Sequence, residues 1–367
     1  MMNDKNTIDA FFSLLKGGLW EQRVYLVPFS PIDADALYKL ADEQSVVGLV
    51  SAGIEHVEDT RLTKHQALPF LKRVVSTESN NTEMNSFISW LWDRLKEEQV
   101  SLALVKGQGI AQCYERPQWR SAGDIDLLLD LNDYEKAKSI LFPIAQSVHP
   151  EKKVVKHQGL TILSLTVELH GTLHTGLSRR LDSVVDAVQD EMFRKGLFRK
   201  WDIDHTQIFL PSPDCDVIFI FTHILQHFYK GGIGLRQICD LCRFLWTYKD
   251  AINRPLLMDR LQSMGIMREW RSFMAFAVEY LGLPEQVAPF YSQPMPVVTR
   301  RIASFVIASG NFGRSRDNSY REKGYPILIR KFITLWHQIK DNISLFRISP
   351  INSLRFIFGY ILSQIEE

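Results

Sequence analysis

Residues 102–130, LALVKGQGIAQCYERPQWRSAGDIDLLLD, decide the reading of this chain. Leu102-Ala103-Leu104-Val105 is an apolar run of strand length. Lys106 and Gly107 follow, then a short helix-compatible segment and Arg120. A second apolar run then carries Asp124-Ile125-Asp126. The order is strand, glycine turn, helix, strand. Alternate side chains of a strand share a face, so Asp124 and Asp126 point one way and Ile125 and Leu127 the other. Two carboxylates side by side repel each other. A chain keeps such a pair where a divalent cation or a basic partner neutralises it.

Working outward, residues 7–98 read as helical. Phe11, Phe12, Leu14 and Leu15 have helical spacing, and an acid-rich first turn opens a helix after Asp33. Over 64–99, Leu68, Leu71, Val75, Met84, Phe87, Leu91 and Leu95 fall near helical spacing, with Ser79-Asn80-Asn81 as a candidate break. Beyond the central stretch, Asn132 is the expected N-cap of a helix over 133–142. Residues 153–157 and 160–169 read as two strands joined by a tight turn at Gln158-Gly159. A helix is expected over 179–195 and a short strand over 205–210. Helices are expected over 214–229, 235–248, 256–264, 270–281 and 297–309, and a basic, apolar helical tail over 325–365. The expected organisation is an N-terminal helical lobe (1–99), an α/β core (100–212) and a C-terminal helical region (213–367).

The chemistry-bearing set is Lys106-Gly107, Arg120, Asp124-x-Asp126 and Glu168 on a later strand. Three carboxylates on neighbouring strands suit one or two Mg²⁺ ions, which take oxygen ligands and commonly keep substrate phosphates among them. A glycine after a strand lets backbone approach a phosphate, and Lys106 and Arg120 would neutralise a triphosphate as charge moves to pyrophosphate.

This arrangement resembles the nucleotidyltransferase superfamily with the DNA polymerase β-like fold. Within it the chain looks like a bacterial branch of uncharacterised nucleotidyltransferases, often encoded near polysaccharide biosynthesis genes. The matching residues are Lys106-Gly107, Arg120, Gly123-Asp124-Ile125-Asp126, Val167-Glu168-Leu169-His170, His223-Ile-Leu-Gln-His227 and Leu235-Arg236-Gln-Ile-Cys-Asp240. The resemblance implies an α+β fold with a small mixed sheet flanked by helical lobes. It implies transfer of a nucleoside monophosphate from a nucleoside triphosphate to an acceptor hydroxyl or phosphate. Asp124, Asp126 and Glu168 would hold Mg²⁺ or Mn²⁺, and Glu168 would also be a candidate acceptor of the proton. Lys106, Gly107, Gln108 and Arg120 would bind nucleotide phosphates, with His170 and Asp240 behind them. The usual second small residue after the glycine is Gln108 here, so a serine hydroxyl that would meet the triphosphate is absent. The alternative is a catalytically inactive nucleotide-binding or scaffold module of the same fold, partnered in polysaccharide synthesis or in a toxin–antitoxin pair.

Each residue also has a plainer reading. Arg120 would pair with Asp124 or Asp126 without a metal, Lys106 would be a surface lysine, and Glu168 the outward residue of an alternating strand. His170 and His174 read more readily as packed side chains than as ligands. His223 and His227 lack the glutamate of a zinc-protease helix, and Cys239-x-x-Cys242 has no second pair. The tail, with Arg330, Lys331, Lys340, Arg347 and Arg355 among aromatic and aliphatic residues, reads as a packed helix with a solvated face before it reads as a peripheral membrane helix. The 367 residues carry a net charge of +1 and 46% apolar residues, which fits a globular chain and gives no general electrostatic case for nucleic acid. The start, MMNDKNTIDAFF, lacks a secretory pattern, no 18-residue apolar run exists, and four cysteines suit a reducing setting; a cytoplasmic location is expected.

Overall fold

The apolar run at Leu102 forms an edge strand of the central sheet, and the acids at 124 and 126 lie on the next strand beside it. A computed structural model describes residues 5–311, 346 and 348–356. The fold is α+β. Four helices come first: α1 (Lys5–Trp20), α2 (Ala34–Glu43), α3 (Val47–Glu55) and the long α4 (Lys64–Glu97). The central sheet is built from β1 (Leu102–Val105), β2 (Asp124–Leu129), β3 (Ser147–Val148), β4 (His157–Ile162) and β5 (Leu165–His170), with α5 (Gly107–Ala111) and α6 (Tyr134–Leu141) between strands. After α7 (Arg179–Lys195) comes a separate hairpin of β6 (Phe198–Ile203) and β7 (Thr206–Pro211). Then come the helices α8 (Pro213–Lys230), α9 (Leu235–Thr247), α10 (Arg254–Met264), α11 (Met267–Leu281) and α12 (Pro296–Ser309). The expected tail at 325–345, with Arg330, Lys331, Lys340 and also Arg347, lies outside the described residues. Among the described residues no helix is long and apolar enough to cross a membrane.

The sheet order is β1-β2-β5-β4-β3, with β2 and β5 parallel and every other pair antiparallel. One face is closed by the second half of α4 and by α6: Leu102, Leu104, Ile125, Leu127, Leu129, Leu160, Val167 and Leu169 pack there with Leu91, Trp92 and Leu95. Burying such a set at about 25 cal/mol per Å² of apolar surface fixes which residues must turn to the other face. The larger core joins the first three helices to the last ones. Phe12 meets Tyr280 edge to face at 5.2 Å, and the Trp20 indole donates to the Leu281 carbonyl at 2.6 Å.

Helices α1 and α3 cross with backbone against backbone. A Cβ on Gly18 would fall inside the Leu49 carbonyl, and one on Gly53 inside the Leu14 carbonyl. Gly53→Ala is therefore expected to destabilise the protein by about 1–3 kcal/mol, as overpacking of a closed contact does. It should appear as a lower urea midpoint at unchanged slope, and an unchanged midpoint would refute the close-crossing account.

Four local expectations are corrected. The turn between β4 and β5 is Leu163-Ser164, not Gln158-Gly159. Both turn residues have positive φ (48° and 67°), as two-residue hairpin turns of the I′ class require. Gly159 is instead a strand residue, small because the His149 ring lies over it. Ser79-Asn80-Asn81 does not break α4. Asn81 is buried, and its amide donates to the carbonyls of Gln118 (2.7 Å) and Arg120 (2.8 Å). Asn132 does not cap α6. Asp133 stands at the cap, but its carboxylate accepts from the Ser101 backbone instead, at 2.8 Å. Leu68, Leu71 and Val75 are exposed, while Phe70 and Val74 take the buried face of α4.

Candidate functional site

Strand parity assembles the site. With Ile125, Leu127 and Leu129 committed to the core, Asp124 and Asp126 emerge on the opposite face. The parallel register sets Asp126 beside Glu168. Val167 and Leu169 are core residues, so Glu168 and His170 project with the aspartates. The antiparallel register of β4 sets His157 opposite His170 and Gly159 opposite Glu168, which puts His157 on the same face.

Lys106 arrives from the turn after β1. Its backbone has φ 57° and ψ −141°, a region that non-glycine residues seldom adopt, and Gly107 follows at φ 32°. The turn brings the ammonium back over β2, where Nζ donates to Asp126 Oδ1 at 2.7 Å. His170 Nε2 lies 2.8 Å from the same oxygen and 3.5 Å from Glu168 Oε2. His157 Nε2 lies 3.2 Å from that glutamate oxygen. The two imidazoles stack with centroids 4.7 Å apart and planes within 5°.

The charges respond to one another. The carboxylate of Asp126, then burial, then Glu168 push the Asp124 carboxyl up to about 6. Burial opposes ionisation of Asp126, but the Lys106 ammonium and the hydrogen bond from His170 outweigh it, and its carboxyl is held below the usual range. Burial likewise opposes ionisation of Glu168, and His157 and His170 more than reverse it. Burial and Lys106 work against a charged His170, whose pKa is nonetheless raised by Asp126 and Glu168. Asp124 is thus the strained member of the set. A carboxyl raised in the fold subtracts from stability above its folded value, and that penalty vanishes below the ordinary value of 3.8. Asp124→Asn should therefore raise the melting temperature of the metal-free protein at pH 7.5 and leave it unchanged near pH 3.5. An equal effect at both pH values would remove charge repulsion as the cause.

These groups line a cavity of about 740 Å³. Its other walls come from α7, α8 and α9, which contribute Arg179, His223, His227, Lys230, Arg236 and Gln237. Burial and then Lys106 lower the pKa of His223 and His227, so both imidazoles are neutral at pH 7. Their rings meet edge to face at 4.4 Å. His174, also on the wall, holds Asp186 at 2.6 Å.

Lys106, Gly107, Arg120, Asp124, Asp126, Glu168, His170 and Asp240 all reach this cavity, and Gln108 does not. The Gln108 amide turns into the protein and donates to Asn81 Oδ1 at 3.0 Å. Arg120 pairs with neither aspartate of β2. Its Nε and Nη2 donate to Asp240 at 2.8 and 2.7 Å, and the Tyr114 hydroxyl donates to the same carboxylate at 2.7 Å. Cys113, Cys215, Cys239 and Cys242 are all buried free thiols. Among the cavity residues outside the expected set, His157 and Arg236 stand nearest the carboxylates. His157 was hidden by the misplaced turn. Arg236 faces Asp124 and donates from Nη1 to the Ser121 carbonyl at 2.8 Å; its signal was a lone arginine at the start of an apolar helix.

The family model described as "Uncharacterised nucleotidyltransferase" matches residues 30–282, which includes the whole sheet, the hairpin and α2 to α11. No curated protein and no solved structure matches the chain.

Proposed function

The chain belongs to the uncharacterised nucleotidyltransferase family, and from that premise we propose that it moves a nucleoside monophosphate from a nucleoside triphosphate to an acceptor hydroxyl or phosphate, using Mg²⁺ or Mn²⁺. The observation that carries this reading is the convergence of Asp124, Asp126 and Glu168 on one sheet face at the floor of the cavity. The donor set fits a dication. Asp124 is the carboxyl whose ionisation its neighbours penalise, and added positive charge would relieve that penalty. When bound, the ion supplies positive charge to phosphate oxygens and to the departing pyrophosphate.

The residues divide the remaining work. Asp124, Asp126 and Glu168 would hold the ion. Glu168 is kept ionised by His157 and His170, and so weak a base suits a ligand better than a proton acceptor. Lys106 and Arg236 offer cations to the triphosphate from two sides. Arg120, tied to Asp240, holds the loop that leads into β2. The acceptor oxygen attacks the α-phosphorus, and the bond to the bridging oxygen of the β-phosphate breaks as pyrophosphate leaves.

One observation favours the non-catalytic module: Asp126 and Glu168 are already met by Lys106, His170 and His157, so the carboxylates are stable without an ion. Melting curves with each nucleoside triphosphate, with Mg²⁺, Mn²⁺ or chelator, separate the two. Transfer requires a metal-dependent rise in melting temperature and pyrophosphate release. A rise without metal, and no pyrophosphate, would select the module.

A further inference from the structure

We propose that His157, Glu168 and His170 form a binding site for a divalent first-row transition ion, with two imidazole nitrogens among its ligands. The proposal shares Glu168 with the transfer reading but does not rest on turnover. One ligand atom from each of the three residues lies within 4.8 Å of the others. His157 Nε2 and His170 Nε2 stand 3.2 and 3.5 Å from the same Glu168 oxygen. Bonds of about 2.1 Å to a common ion place neighbouring donor atoms about 3–3.5 Å apart, so the side chains are nearly in position.

The positions are fixed by backbone. His157 and His170 are direct partners across β4 and β5, and Glu168 is two residues from His170 on the same strand face. Both Nε2 atoms stand near one carboxylate, and because the rings are stacked in parallel, a shared ion would require each ring to turn until its in-plane lone pair meets the ion. His157 Nε2 has almost no solvent exposure and faces Glu168 Oε2 at 3.2 Å, and an ion would use both atoms. The cluster lines the cavity, so an ion has a route to it. Magnesium and manganese favour oxygen ligands, whereas imidazole suits zinc, copper, iron and nickel.

The experiment uses the full chain, stripped with chelator and free of nucleotide, with Cu²⁺ and Zn²⁺ as probes. Pulsed electron paramagnetic resonance of bound Cu²⁺ should show couplings to two imidazole ¹⁴N nuclei. His157→Gln should remove one of them and weaken Zn²⁺ binding by about tenfold or more in calorimetry. His205→Gln, an exposed histidine on the β6–β7 turn, should change neither. If His157→Gln fails to fold, the wild-type couplings still decide. Bound Cu²⁺ without nitrogen coupling, or no Cu²⁺ and Zn²⁺ binding without nucleotide, would overturn the site. The Mg²⁺-dependent melting shift with nucleotide is read separately, so either proposal can fall while the other stands.

Discussion

Asp126→Asn is expected to abolish metal-dependent stabilisation by nucleotide and to lower pyrophosphate release by about a thousandfold or more. Asp126 is nearly sealed, with its side chain 3% exposed, and it lies between Asp124 on its own strand and Glu168 on the next. It shares the cavity floor with both of them and with the cation of Lys106. The substitution has a second effect of predictable sign. It leaves the Lys106 ammonium and the His170 imidazole around an uncharged amide, so the metal-free variant should lose about 2–3 kcal/mol of stability. Asp124→Asn, two residues away on the same face, should gain stability at neutral pH. Opposite stability changes with a shared loss of metal-dependent nucleotide binding would mark a site organised for a dication. Calorimetry with Mn²⁺ and a triphosphate, beside melting curves without metal, reads both. Retained metal-dependent binding in Asp126→Asn would place the metal elsewhere.

The floor of this site was legible in the sequence because period-two alternation alone puts Asp124, Asp126 and Glu168 on the polar side of apolar strands. Lys106 was legible as the cation after β1, though not its left-handed backbone or its contact with Asp126. The walls were not legible. His157 was lost through one error: a glycine after a glutamine looks like a turn, but Gly159 is small because His149 covers it. With the turn placed there, His157 would flank a loop instead of facing His170. The β6 strand, FRKWDI, carries too much charge to be told from a loop, and it is defined only by its pairing with β7. Arg120 depended on a partner 120 residues away, Asp240, which no local pattern connects to it. Asn81 shows the same limit. Its amide is a helix breaker by composition, yet the carbonyls of the 117–122 loop make it a buried clamp.

Asp240→Ala is expected to destabilise the fold by about 3–5 kcal/mol, the range for breaking a buried ion pair from one side. The side chains of Arg120 and Asp240 are 5% and 6% exposed, and their two hydrogen bonds form a bidentate fork. Removing the carboxylate strands the Arg120 guanidinium and the Tyr114 hydroxyl, and leaves Arg236 nearby without the anion that favours its charge. The loss should be concentrated in the approach to β2, because Arg120 closes the loop that Asn81 and Arg236 hold by its carbonyls. A paired replacement, Arg120→Met with Asp240→Leu, should recover much of the loss, since two apolar side chains leave no uncompensated charge behind. The cycle of single and double variants in urea gives the coupling directly. It also separates two roles for Arg120. If the guanidinium serves mainly to hold the loop, the refolded double variant keeps metal-dependent nucleotide binding. If it meets a phosphate, the double variant regains stability but not nucleotide affinity. Equal losses in single and double variants would show that the pair is not a unit, and that the loop before Asp124 is held by Asn81 and Arg236 alone.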